Sequence, residues 1–488
     1  MRQAELQFDS AVKIIRKLRE AGYEALLAGG CVRDLVLGRT PKDFDVATSA
    51  RPEVVLEMFE RTFAVGARFG VVLVDCVCGA PDSVPGTAKT ADAEAAGEAA
   101  PGHVVTEVAT FRADGAYSDG RRPDQVRYTR TSAEDVLRRD FTINGLLLDP
   151  LQGGGILEKI LGDPTALRAA VIDHVGGLAD LDAKLLRAIG QPETRFEEDH
   201  LRMLRGVRFA ARYGLRIEPG TLRAMRALAA KIGLVSRERV RDELTRMLTE
   251  GHARRAFELL DETGLLSEVL PEVARMKGVA QPPQYHPEGD VWEHTLRLLD
   301  QLEEGCPMTL GWAALLHDVG KPPTFRQAPD RIRFDGHAEV GTVVAAEICR
   351  RFRFSNADQE QVVAMVANHM RFMDVEKMRE STLKRFFRLE GFDQHLALHK
   401  MDCLAGSGYL DNWNFMRQKQ AEMPAEAVRP APLLTGRELI AAGYRPGPKF
   451  RAMLEAVEEA QLEGEIRTAE EALTLVRERF GAAGQAEL

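Results

Sequence analysis

Cysteine is scarce in this chain of 488 residues: there are six, and only Cys76 and Cys78 stand close together. That scatter argues against a disulfide framework and suits a reducing cytoplasm. Cys76-x-Cys78 alone is a weak metal signal and reads as part of an ordinary strand. Long apolar runs are also missing. None approaches the roughly 18 residues of a membrane span, so no membrane partner is expected. The opening segment MRQAELQFDSAVKIIRKLRE has no secretory apolar core and reads as an amphipathic helix. Positive charge is in deficit overall. The net charge of −9 by itself argues against a nucleic-acid partner. The distribution argues the other way. From Leu201 to Arg246, eleven arginines and one lysine stand against Glu218, Glu238, Asp242 and Glu243, a local balance of +8. A local basic field weighs more than the total, although a solvated charged face would read the same.

The remaining composition, 45% hydrophobic and 28% charged, is that of a soluble globular protein. A chain of this length exceeds one hydrophobic core, and two to four domains are expected. Residues 1–150 alternate strand and helix patterns. EALLAGG reads as a short strand, CVRDLVLG as a helix stopped by Gly38, and RPEVVLEMFE as another helix. DFDVAT, FGVVLVDCV and VVTEVATFR read as strands. Residues 79–102, rich in Ala, Gly and Pro, read as a flexible hairpin-tip insertion without chemistry. Residues 151–275 read as a helical neck. Residues 276–420 form a second helical block holding seven of the eleven histidines. Residues 421–488 open with the linker AEMPAEAVRPAPLL and close as a small helical tail.

Chemistry concentrates first in TPKDFDVATSA. Residues two apart on a strand share a face, so Asp43 and Asp45 point the same way. Paired carboxylates repel unless a cation sits between them, and Mg²⁺ prefers such oxygens. Two ions about 3.5–4 Å apart would clamp the attacking and leaving oxygens of a displacement at phosphorus. Glu107, on a nearby strand, is the candidate third carboxylate. Gly29 and Gly30, between a strand and a helix, let backbone N–H groups approach a triphosphate, or simply form a tight turn. Arg33 and Asp34 follow there and read equally as a surface pair. In RRDFTIN, Arg139 and Asp140 suit the bracketing of a sugar hydroxyl, or Asp140 caps a helix. In FEEDHLRMLRGVRFAA, Asp199 and Arg202 are three apart and read as sharing a helix face. A carboxylate accepts from an exocyclic amine and a guanidinium donates to a ring nitrogen. One Asp–Arg pair would therefore admit CTP and ATP and reject UTP and GTP. The plainer reading is an intrahelical ion pair.

In order and spacing, LAGGCVRDLVLGRTPKDFDVAT, EVATFR, RRDFTIN, EEDHLRMLRGVRFAA and VSRERVRDEL resemble the class II tRNA nucleotidyltransferases and bacterial poly(A) polymerases, over roughly residues 20 to 250. The resemblance implies an α+β nucleotidyltransferase head with a DNA polymerase beta-like palm. An all-α neck, an HD-type helical domain and a helical tail follow. It implies Mg²⁺ on Asp43 and Asp45, with Glu107 completing the catalytic set. Nucleotide contacts would come from Gly29, Gly30, Arg33, Arg139, Asp140, Glu198, Asp199, Arg202, Arg205 and Arg208. Glu198, Asp199 and Arg202 would form an amino-acid template for the incoming base. Arg237, Glu238 and Arg239 would brace the neck, and FRADGAYSDGRRPD would help switch from CTP to ATP. His200 stands where the motif often has Pro, and Gly145 and Gly206 replace a commoner Ala. The function implied is addition of CCA to the tRNA 3′ end from CTP and ATP. Poly(A) synthesis, or addition of only A or only CC, is the alternative.

A second set lies downstream. His294, His317, Asp318, His337, His369 and Asp402 recur within about 110 residues of helical sequence. Mixed imidazole and carboxylate ligands suit Mn²⁺, Fe, Ni²⁺ or Zn²⁺ better than Mg²⁺ alone. His317-Asp318-x-Gly-Lys321 resembles the HD phosphohydrolase signature, which implies metal-assisted phosphoester hydrolysis, even as the chain's main activity, or a fold kept for RNA contact. DCLAGSGYLD departs from the usual Ser-His-Gly after the last aspartate. In the tail, GYRPGPKF resembles a segment that supports tRNA, with Pro446-Gly447-Pro448 opening a helix.

Overall fold

The computed structural model of the chain describes residues 2–64, 70–77, 103–114, 126–151, 163–284 and 286–482. The chain divides into two compact units. The first comprises Met1–Met247 with Arg255–Val269, and the second Leu248–Arg254 with Leu270–Leu488.

The first unit is built on a seven-stranded mixed sheet. Its strands are β1 (Ala25–Ala28), β2 (Val46–Thr48), β3 (Thr62–Phe63), β4 (Val71–Val77), β5 (His103–Thr110), β8 (Leu146–Leu148) and β9 (Val171–Asp173). Two short strands, β6 (Arg112–Asp114) and β7 (Val126–Tyr128), form a separate antiparallel pair. The sheet order is β3-β4-β5-β2-β1-β8-β9. The last strand comes from residues beyond 150, so the sheet reaches into the stretch read as neck. β2 and β5 run parallel with Val46 opposite Val108, while β1 pairs antiparallel with both β2 and β8.

Helix α1 (Arg2–Glu20) covers one face of this sheet. Phe8, Ala11, Ile14, Ile15 and Leu18 are buried at the helical period that its amphipathic pattern predicts. Ser10 and Thr106 hydroxyls meet at 2.9 Å beneath it. Alternation on β5 buries Val104, Thr106 and Val108 and leaves Val105 and Glu107 exposed on the other side. That second face carries the candidate chemistry. Further along, helices Pro192–Glu198, Leu201–Tyr213, Pro219–Leu228 and Arg237–Thr249 make up most of the neck, with Leu185–Leu186 and Arg216–Ile217 forming a short parallel pair.

The second unit is helical apart from one small antiparallel pair, Arg326–Gln327 with Ile332–Arg333. Helices Val291–Leu299, Met308–Leu316, His337–Arg351, Asn356–Asn368 and Phe392–Ala405 surround the histidine-rich cluster. The tail has its own apolar core, including Leu439, Val457, Ala472 and Val476. No helix among the described residues is long and apolar enough to cross a membrane.

The insertion at 79–102, Cys78 and residues 115–124 of the segment FRADGAYSDGRRPD lie outside the described residues.

Candidate functional site

The paired aspartates stand just ahead of β2 rather than on it. The strand is assigned from Val46, although the ladder continues one residue further back, where the Ala28 N–H donates to the Asp45 carbonyl at 3.0 Å. Alternation nevertheless holds. Phe44 is buried under α1, edge-on to Phe8 at 5.3 Å, so Asp43 and Asp45 face the open side. Because Val46 and Val108 are register partners on parallel strands, Asp45 and Glu107 come side by side. Together with Arg112, Arg138 and Arg139 they line a cleft of about 260 Å³ floored by Ala28, Ala47 and Ala109. Burial, then the charges of Glu107 and Asp43, push the Asp45 carboxyl up to about 7 against the pull of Arg139. Desolvation within the cleft, then the charge of Asp43, also raises Glu107. Three carboxylates that resist ionising together create a demand for cations, and the residues fit divalent ions. Among the described residues, the groups of three or more ligand atoms within 4.8 Å of one another all fall in the second unit. The looser spacing in the cleft suits ions that take their remaining ligands from triphosphate oxygens.

Around the cleft the polar residues are braced by one another. Arg138 and Arg139 converge on the buried Asp135, at 2.7 and 3.0 Å, through i+3 and i+4 spacing on α4 (Ser132–Leu137) and the turn after it. Asp135 was not foreseen, though that spacing is visible in SAEDVLRR. Gly29 has a positive φ of 75°, and a Cβ there would stand 2.9 Å from Arg139 Nη1. Its N–H donates to Leu146 O at 2.8 Å, so this glycine's amide serves the sheet rather than a phosphate. Gly30 opens helix α2 (Gly30–Val36).

Arg33 and Asp34 are not a surface pair. Both are buried, 3.0 Å apart, and Arg33 also bonds the Asn144 side chain and the Tyr213 hydroxyl, stacking 4.3 Å from the Tyr213 ring. Asp140 is buried too. It accepts from Phe141 N at 2.8 Å, Asn144 Nδ2 at 2.9 Å and Arg205 Nε at 2.9 Å. Burial alone would raise its pKa, but Arg205 and Asn144 overcome that and hold it at about 2. Arg208 is turned into the neck, where it pairs with buried Glu243 at 2.7 Å.

Asp199 and Arg202 do not share a helix. The chain turns extended at Asp199, between Pro192–Glu198 and Leu201–Tyr213. Its Oδ1 accepts from Leu201 N at 3.0 Å and its Oδ2 meets Arg239 at 2.7 Å. Arg202 instead pairs with Glu198 at 2.5 Å and donates to Arg138 O and Arg195 O. Arg195 holds the other Glu198 oxygen at 2.7 Å. Asp199 turns to the Leu201 N–H because a short carboxylate readily bonds the backbone two residues on and satisfies an unpaired N–H ahead of the next helix. The basic stretch is also less free than its tally implies. Arg202, Arg205, Arg226 and Arg239 turn to Glu198, Asp140, Glu262 and Asp199, while Arg216, Arg223 and Lys231 stay exposed.

Gly145 and Gly206 have a packing reason. A Cβ on Gly145 would lie 2.7 Å from Val175, and one on Gly206 would lie 2.5 Å from Met225 and 2.8 Å from the Phe141 ring. The volume of the commoner Ala is supplied by its neighbours.

In the second unit the six predicted residues do meet. Asp318 lies 3.2 Å from His317 Nε2, 3.7 Å from His337 Nε2 and 3.8 Å from His369 Nε2, and His294 Nε2 lies 3.0 Å from Asp402. The Nδ1 atoms of His317, His337 and His369 point at the carbonyls of Ala314, Phe334 and Val366, at 2.9, 2.9 and 2.7 Å. That arrangement leaves each Nε2 lone pair for a metal. His337 and His369 present their Nε2 atoms to each other at 3.3 Å. Two acceptors so placed repel unless a cation or proton intervenes, so the donor set fits a divalent ion. Burial would lower the His294 pKa, but Asp402 and Glu288 carry it up to about 9. Glu288, with a fully buried side chain, receives both His294 at 2.6 Å and His286 at 2.8 Å. Sequence reading passed over Glu288, although HPEGDVWEHT held it. Gly320 is required by close approach: a Cβ there would stand 2.0 Å from His337 O.

Comparison with known proteins identifies the domains in which the two clusters lie. Residues 25–187 match the Poly A polymerase head domain, 214–277 a probable RNA and SrmB-binding site of polymerase A, and 290–401 the HD domain. These matches bring divalent-metal chemistry with them. The chain is 30% identical over 475 residues to the CCA-adding enzyme of Lactobacillus gasseri, covering 96% of each. It is 38% identical over 267 residues to that of Geobacillus thermodenitrificans, 55% of each chain. Among solved structures, the Bacillus stearothermophilus CCA-adding enzyme in complex with CTP superposes with a TM-score of 0.65 at 25% identity, over 97% of both chains. The Thermotoga maritima CCA-adding enzyme complexed with tRNA shares the fold, with a TM-score of 0.55 at 16% identity. The chain belongs to the CCA-adding enzyme family, the tRNA nucleotidyltransferases of class II.

Proposed function

We propose that this chain adds C, C and A to the 3′ end of tRNA, taking CTP and ATP in the head cleft. The observation that carries the reading is the open face of the sheet, where Asp43, Asp45 and Glu107 stand over small residues and beside Arg139. Asp43, Asp45 and Glu107 would hold Mg²⁺, which, when bound, neutralises triphosphate charge and activates the terminal hydroxyl. Arg139 and Asp140, set by Asp135 and Arg205, take the ribose side, with Gly29, Gly30 and Arg33 shaping the wall behind. Arg205 and Arg208 act as braces in this reading. Glu198, Asp199 and Arg202 supply the edge that the base reads, and no nucleic-acid template is needed. Exposed neck and tail cations bind the tRNA phosphates. The head and neck would correspond to residues 1–150 and 151–275, the HD-type domain to 276–420 and the tail to 421–488.

The histidine cluster supports a second activity, metal-dependent phosphohydrolysis, with Mn²⁺, Ni²⁺, Fe or Zn²⁺ as suited ions. The five described cysteines are all free, which supports a cytoplasmic location. The test is incorporation of labelled CTP and ATP into tRNAs ending before CCA, after C and after CC. Three, two and one additions are expected. Open-ended addition of A, or a halt after CC, would replace this reading by poly(A) synthesis or partial addition.

A further inference from the structure

We infer that Arg195 is a positioning residue for nucleotide addition, fixing the proposed base-reading edge of the neck at a set distance from the head cleft. The inference rests on the reading of that cleft as the site of nucleotidyl transfer. Two guanidiniums bracket Glu198. Arg195 Nη2 holds Oε1 at 2.7 Å, and Arg202 Nη1 holds Oε2 at 2.5 Å. Each guanidinium has a second arm. Arg195 Nη1 donates to Leu137 O at 3.1 Å, and Arg202 Nη2 donates to Arg138 O at 3.2 Å. Arg202 Nη1 also reaches Arg195 O at 3.1 Å, which ties the two arginines to each other.

Leu137 ends α4, and Arg138 follows it. Carbonyls at a helix end have no partner within the helix and favour a positive charge. Two neck guanidiniums meet both needs, and Glu198 between them offsets their mutual repulsion. The side chains of Arg195, Glu198 and Arg202 are 18%, 17% and 11% exposed, so water does little to replace these bonds. The same turn carries Arg138 and Arg139, whose guanidiniums share the Asp135 carboxylate at 2.7 and 3.0 Å. Arg139 lines the cleft with Asp45 and Glu107. Neck edge and cleft wall are therefore joined on two consecutive peptide carbonyls. A nucleotide whose base meets Asp199 and Arg202, and whose phosphates meet the cleft, must span that joint. Arg202 loosens its half of the joint when it turns to a base. Arg195 has no base to serve in this reading, so its half persists through the reaction. Its loss would leave the nucleotide contacts in place and let the reacting phosphorus drift. A misplacement of about 1 Å costs up to about 100-fold in rate.

The test compares the full-length wild type with Arg195→Lys and Arg195→Met, using CTP on tRNA ending before CCA and ATP on tRNA ending after CC. An ammonium at this position still pairs with Glu198 but lacks the fork that reaches Leu137 O at the same time. Arg195→Lys should keep the circular dichroism and thermal midpoint of the wild type and lose about tenfold or more in kcat with both nucleotides. KM, and CTP affinity by equilibrium dialysis, should each move by less than about threefold. Arg195→Met should lose at least as much. Because Arg195 acts through the turn that carries Arg139, adding Arg195→Lys to Arg139→Lys should cost less than about twofold further. An unchanged kcat in Arg195→Lys, whether or not Arg195→Met folds, overturns the positioning role, and so does an undiminished loss in the Arg139→Lys background. A loss confined to KM overturns it as well and makes Arg195 a nucleotide contact. Each of these leaves the cleft reading standing. A wild type that adds no nucleotide overturns the cleft reading itself.

Discussion

Asp199 gives its Oδ2 to Arg239, 2.7 Å away and forty residues downstream, rather than to Arg202 three residues on. The carboxylate proposed to read the base is thus held by the neighbouring neck helix, and the guanidinium of Arg202 is held by Glu198. Asp199→Ala removes the acceptor for an exocyclic amine. One such contact is worth roughly 1–3 kcal/mol of discrimination, about one to two orders of magnitude in relative rate. CTP and ATP use should fall against UTP and GTP. Arg239→Ala should relax selection in the same direction but less, because the carboxylate remains and only loses its anchor. Rates with each of the four nucleotides on one tRNA check both. Unchanged preference in Asp199→Ala would mean that selection lies elsewhere.

Arg208 and Glu243 form a buried pair with side chains each about 6% exposed. Removing one partner strands a charge, at a cost of about 3–5 kcal/mol. Arg208→Met should therefore lower the thermal midpoint sharply, and Glu243→Leu added to it should recover much of the loss. Calorimetry of the two single variants and the double one measures the coupling. A stable Arg208→Met with weakened CTP binding would restore Arg208 to the nucleotide site.

The helix His337–Arg351 approaches the His317–Asp318 turn so closely that Gly320→Ala would put a Cβ 2.0 Å from a backbone oxygen. The two elements must separate. Metal retention by the helical unit should drop more than tenfold, while nucleotide addition, sited in the other unit, should persist. Asp318→Ala should do the same without the backbone displacement. Parallel loss of both activities in Asp318→Ala would mean one composite site.

Much of this was legible in the sequence because it is local. Period-two alternation placed Phe44 under α1 and both aspartates on the opposite face. The spacing of His294, His317, Asp318, His337, His369 and Asp402 announced a cluster before any packing was known. What was missed is tertiary. Whether Asp199 pairs with Arg202 or Arg239, or Arg208 with a nucleotide or Glu243, depends on which helix lies alongside. The Arg33–Asp34 pair reads as surface until Tyr213, 180 residues on, covers it. Glu288 carries no period of its own, and its importance comes from the buried His294 it faces.

In the proposed site, Asp45 is held for a cation in the head cleft. Its folded pKa, about 7, lies above the usual carboxylate value of 3.8. With divalent ions chelated, the folded chain therefore holds a proton that the unfolded chain releases between about pH 4 and 7, so Asp45 costs stability progressively as pH rises through that window. Asp45→Asn does not ionise and should be the more heat-stable protein at pH 8 in chelator, with the difference vanishing near pH 4. Mg²⁺ with CTP should raise the midpoint of the wild type and not of the variant.

The most direct measurement is labelled CTP and ATP incorporation into tRNA lacking its CCA end, wild type beside Asp45→Asn, at saturating Mg²⁺. The wild type should add C, C and A and stop. Asp45→Asn, still folded by circular dichroism, should be slower by at least three orders of magnitude. Extension by Asp45→Asn at a rate near that of the wild type would contradict the assignment of the head cleft as the site of nucleotidyl transfer.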